Sequence, residues 1–302
     1  MTTTPINQDE INKAVWAACD TFRGVINADT YKDFVLTMLF LKYISDVYKD
    51  EYKKLVEQYG GAGNENPKLI HAMMAKQRFV LPKDASFWDL YEKRHQAGNG
   101  QRIDQALHAI EEANGTKLKN VFQDISFNTD KLGQEKQKNE LLRHLLEDFG
   151  KDILNLSTER VGTLDVIGNA YEFLIKHFAA GSGATAGEYY TPPEVSDLLA
   201  TILAPVEGDQ ICDPACGSAS LLLKCGAMVR KNSGSKKYAL FGQEAIGATW
   251  ALAKMNMFLH GEDNHRIEWG DTIRNPLLIE KSASDKSTHG VAKASSNGLM
   301  HF

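Results

Sequence analysis

The sequence predicts two domains: a helical domain over residues 1–160 and an α/β domain with a doubly wound parallel sheet over residues 161–302. Apolar residues recur at helical spacing through the first half, and no strong run of alternating strands precedes residue 205. Beyond Pro205, short apolar runs alternate with helical segments, the pattern of a parallel sheet covered by helices. With 302 residues, 43% of them hydrophobic, the chain is long enough to bury two cores.

Helices account for the regular structure expected in the first domain. Asn7 and Glu10 have the spacing of a helix-capping pair, and the helix that they begin extends to Gly24. A second helix is expected from about residue 29 or 30 to about residue 55, with apolar residues dense enough to be covered on most sides. Residues 141–149 and 164–178 predict two further helices. The scattered histidines of this half indicate core or solvated positions, not a catalytic site: His71, His95, His108 and His144.

Strands and helices alternate in the second domain. The segment TPPE predicts a helix that begins with Thr191 as its cap, with Glu194 completing a capping box, and continues to Leu203. The elements expected after it are a strand from Gln210 to Asp213, a helix over about 218–231, a strand from Tyr238 to Glu244, a helix from Ile246 to His260 and a strand from Arg266 to Asp271. In such a sheet, ligands bind beyond the carboxyl ends of the strands.

Three acidic residues, Asp213, Glu244 and Asp271, each lie at the carboxyl end of an expected strand, so we expect them to line one crevice. After Asp213 the chain turns through Gly217 into a helix whose first amides can receive an anionic group. Glu244 is placed to accept hydrogen bonds from both hydroxyls of a ribose, and Asp271 to accept one from an adenine amino group. The absence of a GxGxxG sequence favours a nucleoside without phosphates. The alternative is that these acids only cap helices.

Composition argues against several classes of protein. The net charge of −5 is not that of a protein that binds DNA through excess positive charge, so a local patch or a partner subunit would supply part of any attraction. The four cysteines are too few for a disulfide framework and lack zinc spacing, so we expect a reducing compartment and no metal site. The N-terminus does not resemble a signal peptide and no window is long and apolar enough to span a bilayer, so we expect a soluble cytoplasmic protein without a membrane partner.

Five motifs follow one another along the second domain. They are GEYYTPPEV (187–195), DPACGSASLLLK (213–224), GQE (242–244), TWALAKMNMFLHG (249–261) and GDTIRNP (270–276). In this order and spacing the sequence resembles the modification subunits of type I restriction–modification systems. Those proteins are adenine-N6 DNA methyltransferases that use S-adenosylmethionine. The resemblance therefore implies a Rossmann-like, S-adenosylmethionine-dependent methyltransferase fold for the second domain.

The resemblance also implies roles for the matched positions. GEYYTP would form the wall near the methionine portion of the cofactor, and the residues after the first strand would pass beneath the methionine and the sulfonium. Glu244 would hold the ribose, while Asp271 and Thr272 would border the adenine. Ala219 and Ser220 stand where many relatives carry glycine. The cofactor-binding residues implied in this way are Glu188, Tyr189, Tyr190, Thr191, Pro192, Pro193, Asp213, Ala215, Gly217, Ser218, Ala219, Ser220, Glu244, Asp271 and Thr272.

Partners follow from the same resemblance. It implies double-stranded DNA as the substrate, with a specificity subunit that sets the target and a second modification subunit. A restriction subunit joins them in the full complex. In the family the helical domain contacts DNA and partner subunits.

The motif that would hold the substrate base does not occur in the sequence. In the family, Asn-Pro-Pro-Phe or Asn-Pro-Pro-Tyr after the fourth strand orients the amino group of a flipped adenine. Here Asn275-Pro276 follows the third strand without a second proline, and LMHF (299–302) resembles the segment that leads into the fourth strand. We therefore assign no catalytic residue and expect an N-terminal portion that is catalytically incomplete. Two interpretations stay open beside it: a non-catalytic module that binds the cofactor or a partner, and a methyltransferase that acts on RNA or a small molecule.

Overall fold

A computed structural model of the chain describes residues 7–59, 66–161, 164–182, 187, 189–279 and 299–301. The chain forms two compact units, Met1–Leu174 and Ile175–Phe302. The division falls inside a helix that runs from Leu164 to Ser182, beyond the boundary expected at residue 160.

The regular elements described in the first unit are all helical, as the sequence predicts. Asn7 caps the first helix by accepting the Asp9 N–H at 3.0 Å, which confirms the expected start. The helices are α1 (Gln8–Ala18), α2 (Ala28–Tyr59), α3 (Pro67–Met74), α4 (Phe87–Glu92), α5 (Asn99–Ala113), α6 (Glu135–Phe149), α7 (Thr158–Val161) and the start of α8 (Leu164–Ser182), with short 3-10 turns at Cys19–Thr21, Asp130–Leu132 and Asp152–Leu154.

The core of the first unit is built around α2, whose residues 34–46 are all buried. Two of them are charged: Lys42 and Asp46 lie one helical turn apart and form an ion pair. Asp46 also accepts hydrogen bonds from the indole Nε1 of Trp88 and from the backbone N–H of Leu156, both at 2.8 Å. Burial lowers the pKa of Lys42, and the charge of Asp46 opposes that shift. The buried acid is therefore surrounded by donors that the protein itself supplies.

The second unit contains a parallel sheet whose described strands have the order β3-β2-β1-β4, which confirms the expected α/β fold class. The chain leaves β1 on one side for β2 and β3 and returns on the other side for β4. This order places a topological switch point at the carboxyl end of β1. The elements are α9 (Pro193–Leu203), β1 (Gln210–Asp213), α10 (Ser220–Ser233), β2 (Ala239–Glu244), α11 (Gly247–Leu259), β3 (His265–Trp269) and β4 (Leu299–His301).

Three local expectations for this unit need correction. The N-cap of α9 is Pro192 and makes no side-chain cap hydrogen bond, so the capping box of Thr191 and Glu194 is wrong. Pro193 has no N–H to satisfy, which removes one of the donors that a cap would serve. The third strand ends at Trp269, because Asp271 closes a turn there instead of extending the strand. Residues 299–301, expected to precede the fourth strand, themselves pair with β1.

Candidate cofactor-binding site

Asp213 and Glu244 lie together at one edge of the sheet. Asp213 ends β1 and Glu244 ends β2, and these strands are parallel neighbours. Both residues are only 7% exposed. Burial first, and the charge of Glu244 in addition, raise the pKa of Asp213 to about 6, while the hydrogen bond from the Ala215 N–H acts in the opposite direction. Among the described residues no lysine or arginine forms an ion pair with either acid, so this edge suits a ligand that brings donors or positive charge.

Glu244 fastens the loop that follows β1. Its Oε2 accepts the backbone N–H of Gly217 at 3.0 Å, and its Oε1 accepts the N–H of Ile246 at 2.8 Å. A carboxylate oxygen can accept two hydrogen bonds, so with respect to the described residues one acceptor position remains on each. The two hydroxyls of a ribose donate one hydrogen bond each and therefore need two acceptors.

The loop of residues 213–220 crosses β2 at Gly242. There the Cys216 N–H donates to the Gln243 carbonyl at 3.0 Å. A Cβ added to Gly242 would lie 2.9 Å from the sulfur of Cys216, so a larger residue would displace the loop. From the other side, the Asn256 side chain on α11 donates to the carbonyl of Ser218 at 2.9 Å. The loop is thus fixed by a strand and by a helix.

The GEYYTP segment lies against the same loop. The carbonyl of Tyr189, which is buried, accepts the Ser218 N–H at 3.2 Å. Gly217 has a left-handed φ of +53°, and a Cβ there would meet the backbone of Tyr189 at 3.5 Å. Glu188 lies outside the described residues. The remaining residues expected in this wall are half-buried or exposed: Tyr190, Thr191, Pro192 and Pro193.

The first turn of α10 is open at its cap position. Its N-cap, Ala219, is fully buried with φ +65° and offers no side-chain acceptor. The hydroxyls of Ser218 and Ser220 contact each other at 3.0 Å, and Ala215 is exposed. An anionic group can therefore satisfy the backbone donors at this helix start.

Asp271 and Thr272 lie just beyond β3. Thr272 donates its hydroxyl to the Pro214 carbonyl at 2.5 Å, which joins the loops after β1 and β3. Asp271 Oδ1 accepts the N–H groups of Ile273 at 2.9 Å and Arg274 at 3.1 Å, and Oδ2 lies 3.5 Å from the Arg274 Nε. This carboxylate therefore caps its own turn, the alternative that the sequence leaves open. Acceptance of an adenine amino group by Asp271 stays a prediction.

Two buried amides support these loops, and their local sequence does not predict the role. Gln243 and Asn256 are both buried, Gln243 between Gly242 and Glu244 on β2 and Asn256 between two methionines on α11. The one signal in the sequence is an amide in a mostly apolar strand or helix, a pattern that any satisfied core polar residue also shows.

Along most of its length, the chain is similar to methylase subunits of type I restriction enzymes. Residues 162–292 match the N-6 DNA methylase family, and residues 11–149 match the HsdM N-terminal domain family. The MpnII type I restriction enzyme methylase subunit of Mycoplasma pneumoniae is 30% identical over 87% of this chain and 52% of its own length. The corresponding MjaVIII subunit of Methanocaldococcus jannaschii is 30% identical over 95% and 48%. The type I methyltransferase subunit of Streptococcus thermophilus superposes with a TM-score of 0.77 at 27% identity, covering 91% of this chain and 61% of that one.

The chain belongs to the family of type I restriction–modification methylase subunits. The resemblance drawn from the five motifs is confirmed. This methylase-family chain spans about half the length of the curated relatives that it matches.

Among the described residues, neither the cysteines nor any group of metal-ligating side chains forms a second candidate site. The four cysteines are buried and free, and burial raises the pKa of Cys212 to about 11 and of Cys225 to about 12. Among the described residues no group of three or more His, Cys, Asp or Glu side chains is arranged to hold a metal ion. No described helix is long and apolar enough to cross a membrane.

Proposed function

We propose that the second unit binds S-adenosylmethionine, and that the whole protein transfers its methyl group to adenine N6 in double-stranded DNA as a type I modification subunit. The observation that carries the proposal is the pair of buried acids, Asp213 and Glu244, at the switch point of the sheet. Family membership supplies the reaction and the substrate.

The polar groups of the site fit the parts of the cofactor. Glu244 keeps one acceptor position on each oxygen for the ribose hydroxyls. The open first turn of α10 suits the methionine carboxylate, and Asp213, ionised at pH 7 with its pKa near 6, supplies negative charge for a cationic sulfonium. When bound, the cofactor supplies a methyl group on a positively charged sulfur. The chain's own residues orient that group and fix the loops around it.

We propose that DNA binding and the choice of the target sequence require an assembly of this protein with partner subunits. The net charge of −5 gives the chain no overall attraction to DNA phosphates, which supports a requirement for partner subunits. We propose a specificity subunit, a second modification subunit and, in the full complex, a restriction subunit, acting in the cytoplasm where the DNA lies. The curated relatives extend to about twice the matched length, so these partners and the methylation of DNA are proposed for the whole protein.

Calorimetric titration with S-adenosylmethionine tests the part of the proposal that this chain carries. We expect Glu244→Ala to weaken binding by about ten- to a hundredfold, because charge-assisted hydrogen bonds to the ribose are lost. Glu244→Gln keeps the volume and one acceptor, so an intermediate loss is expected.

Glu207→Gln provides the matched control. Glu207 lies in the turn before β1, away from the carboxyl ends of the strands, and pairs with Lys237. This variant should bind the cofactor as the wild type does. A wild type that shows no binding, or a folded Glu244→Ala variant with unchanged affinity, would remove the cofactor site from this edge of the sheet.

A further inference from the structure

Gln243, directly before Glu244 on β2, forms its side-chain hydrogen bonds with a single loop. It is 1% exposed. Its Nε2 donates to the carbonyls of Gly270 at 3.0 Å and Asn275 at 2.9 Å, and its Oε1 accepts the N–H of Leu277 at 2.9 Å. One amide therefore holds both ends of residues 270–277 against the sheet.

We propose that Gln243 is a positioning residue that fixes the loop of residues 270–277 against the adenine end of the cofactor. In this way it sets the preference of the cofactor site for ligands that carry adenine over ligands that carry another base. The inference rests on the proposed function and on the placement of Asp271 and Thr272 of this loop beside the adenine, which the family resemblance implies. It assigns Gln243 an action through the loop and no contact with the cofactor.

The loop depends on Gln243 more at one end than at the other. Its first half has further ties, since the Gly270 N–H donates to the Glu244 carbonyl at 2.9 Å and Thr272 bonds Pro214. In the part of the chain that the structure describes, Gln243 makes every side-chain hydrogen bond to residues 275–277. Ile273 at the tip is 95% exposed and adds no packing. Loss of the Gln243 amide would thus release the second half of the loop. Because the Asn275 N–H donates to the Asp271 carbonyl at 2.8 Å, this release would also disturb the turn that positions Asp271.

Asn256 offers a comparison within the same site. It is also a fully buried amide, but its described bond goes to Ser218 in the other loop, on the methionine side. The two amides therefore support different ends of the proposed cofactor. Substitution of Gln243 should therefore affect contacts with the adenine end of the ligand, and substitution of Asn256 contacts with the methionine end. A general loss of packing would instead lower the affinity without regard to the base.

The experiment compares two ligands on three proteins. S-adenosylhomocysteine and S-inosylhomocysteine differ only at the base, where the 6-amino group is replaced by a carbonyl oxygen and N1 changes from an acceptor to an N–H donor. Wild type, Gln243→Met and Asn256→Leu are titrated with both, and the ratio of the two affinities is the readout. Methionine approximates the length and volume of glutamine but makes none of its three hydrogen bonds.

We expect the wild type to prefer the adenine ligand by about tenfold or more, since a site that hydrogen-bonds an amino group rejects its replacement by an acceptor. Gln243→Met should bring that ratio close to one. Asn256→Leu should lower both affinities by a similar factor and keep the ratio. A folded Gln243→Met variant with the wild-type ratio, or a wild type that binds both ligands equally, would overturn the inference.

A second substitution covers a failure of Gln243→Met to fold. Gln243→Asn retains the amide on a shorter side chain, so we expect a folded protein with an intermediate ratio; an unchanged ratio would again overturn the inference. If the wild type binds neither ligand, the proposed function itself has failed, which separates the two conclusions.

Discussion

The two units treat a buried acid differently. Asp46 in the helical unit and Asp213 in the α/β unit are 3% and 7% exposed. Asp46 has the ammonium of Lys42, an indole N–H and a backbone N–H as partners. Asp213 accepts one backbone N–H, from Ala215, and is repelled by the charge of Glu244. The first acid is completed by the fold, whereas the second keeps capacity for a ligand.

This difference separates a structural charge from a functional one. A buried charge is tolerated when the protein supplies its counter-charge and hydrogen bonds, and removing one partner then leaves an uncompensated ion. An acid held without a cation destabilises the ligand-free protein, and that cost is recovered when a ligand brings donors or positive charge. Opposite responses to neutralisation are therefore expected at Asp46 and Asp213.

The largest expected effect is at Asp46. Asp46→Ala should lower the free energy of unfolding by about 3–5 kcal/mol, because Lys42 would remain buried without its counter-charge. Denaturant unfolding followed by helical circular dichroism measures it. Asp20→Ala serves as the control, since Asp20 forms an exposed pair with Arg23 whose loss should cost less than about 1 kcal/mol. Equal losses in the two variants would contradict a structural role for the buried pair.

Asp213→Asn should raise the free energy of unfolding, whereas Asp46→Ala should lower it. The folded-state pKa of Asp213 is raised to about 6 from about 4 in an unfolded chain. The folded state thus binds more protons between these values, and the Asp213 contribution to the free energy of unfolding falls as pH rises from about 4 to about 6. At pH 8, Asp213→Asn should stabilise the ligand-free protein by up to about 3 kcal/mol, a gain that should disappear near pH 4.

Thermal unfolding at pH 4 and pH 8 checks this expectation. The asparagine keeps an acceptor for the Ala215 N–H, so the turn at residue 215 is retained. Asp197→Asn is the control, because Asp197 is largely exposed on α9 and should give no comparable pH-dependent gain. Destabilisation of Asp213→Asn at pH 8 would show that the fold depends on this charge and would break the contrast with Asp46.

Local patterns predicted the elements and the acids of the site. The first strand, Gln210–Asp213, matches the structure at both ends, since an apolar run followed by Pro and Gly fixes its limits. Glu244 also ends its strand as expected, and the resemblance brought together GEYYTP and DPACGS, which the structure joins through Tyr189 and Ser218.

Contacts between distant residues were not predictable in this way. Gln243 meets residues 270–277 across more than 25 positions, and Asp46 meets Leu156 across 110. No periodicity or turn signal records such a partner. The division inside α8 has a similar cause, because a helix continues by local rules across a boundary that packing sets. Asp271 is a different case, because its hydrogen bonds to the N–H groups of Ile273 and Arg274 are local and a capping role was the alternative that the sequence left open.

The smallest expected effect concerns Ala219, the N-cap of α10, whose backbone has the left-handed conformation that favours glycine. Its φ of +65° costs an alanine about 1–2 kcal/mol, which a glycine would not incur. Against this, Ala219→Gly loses about 0.8 kcal/mol from a buried methyl group and about 0.4–1 kcal/mol from greater freedom of the unfolded chain. These terms nearly cancel, so we expect a change in stability within about 0.5 kcal/mol of zero.

Ala253→Gly on α11 makes the matched comparison. Ala253 is equally buried but helical, so glycine there loses the methyl group and about 1 kcal/mol of helix propensity with no strain to relieve. We expect Ala253→Gly to cost about 1–2 kcal/mol more than Ala219→Gly in denaturant unfolding. Equal costs at the two positions would mean that the left-handed residue before α10 is not strained, and that alanine is as suitable as glycine in this loop.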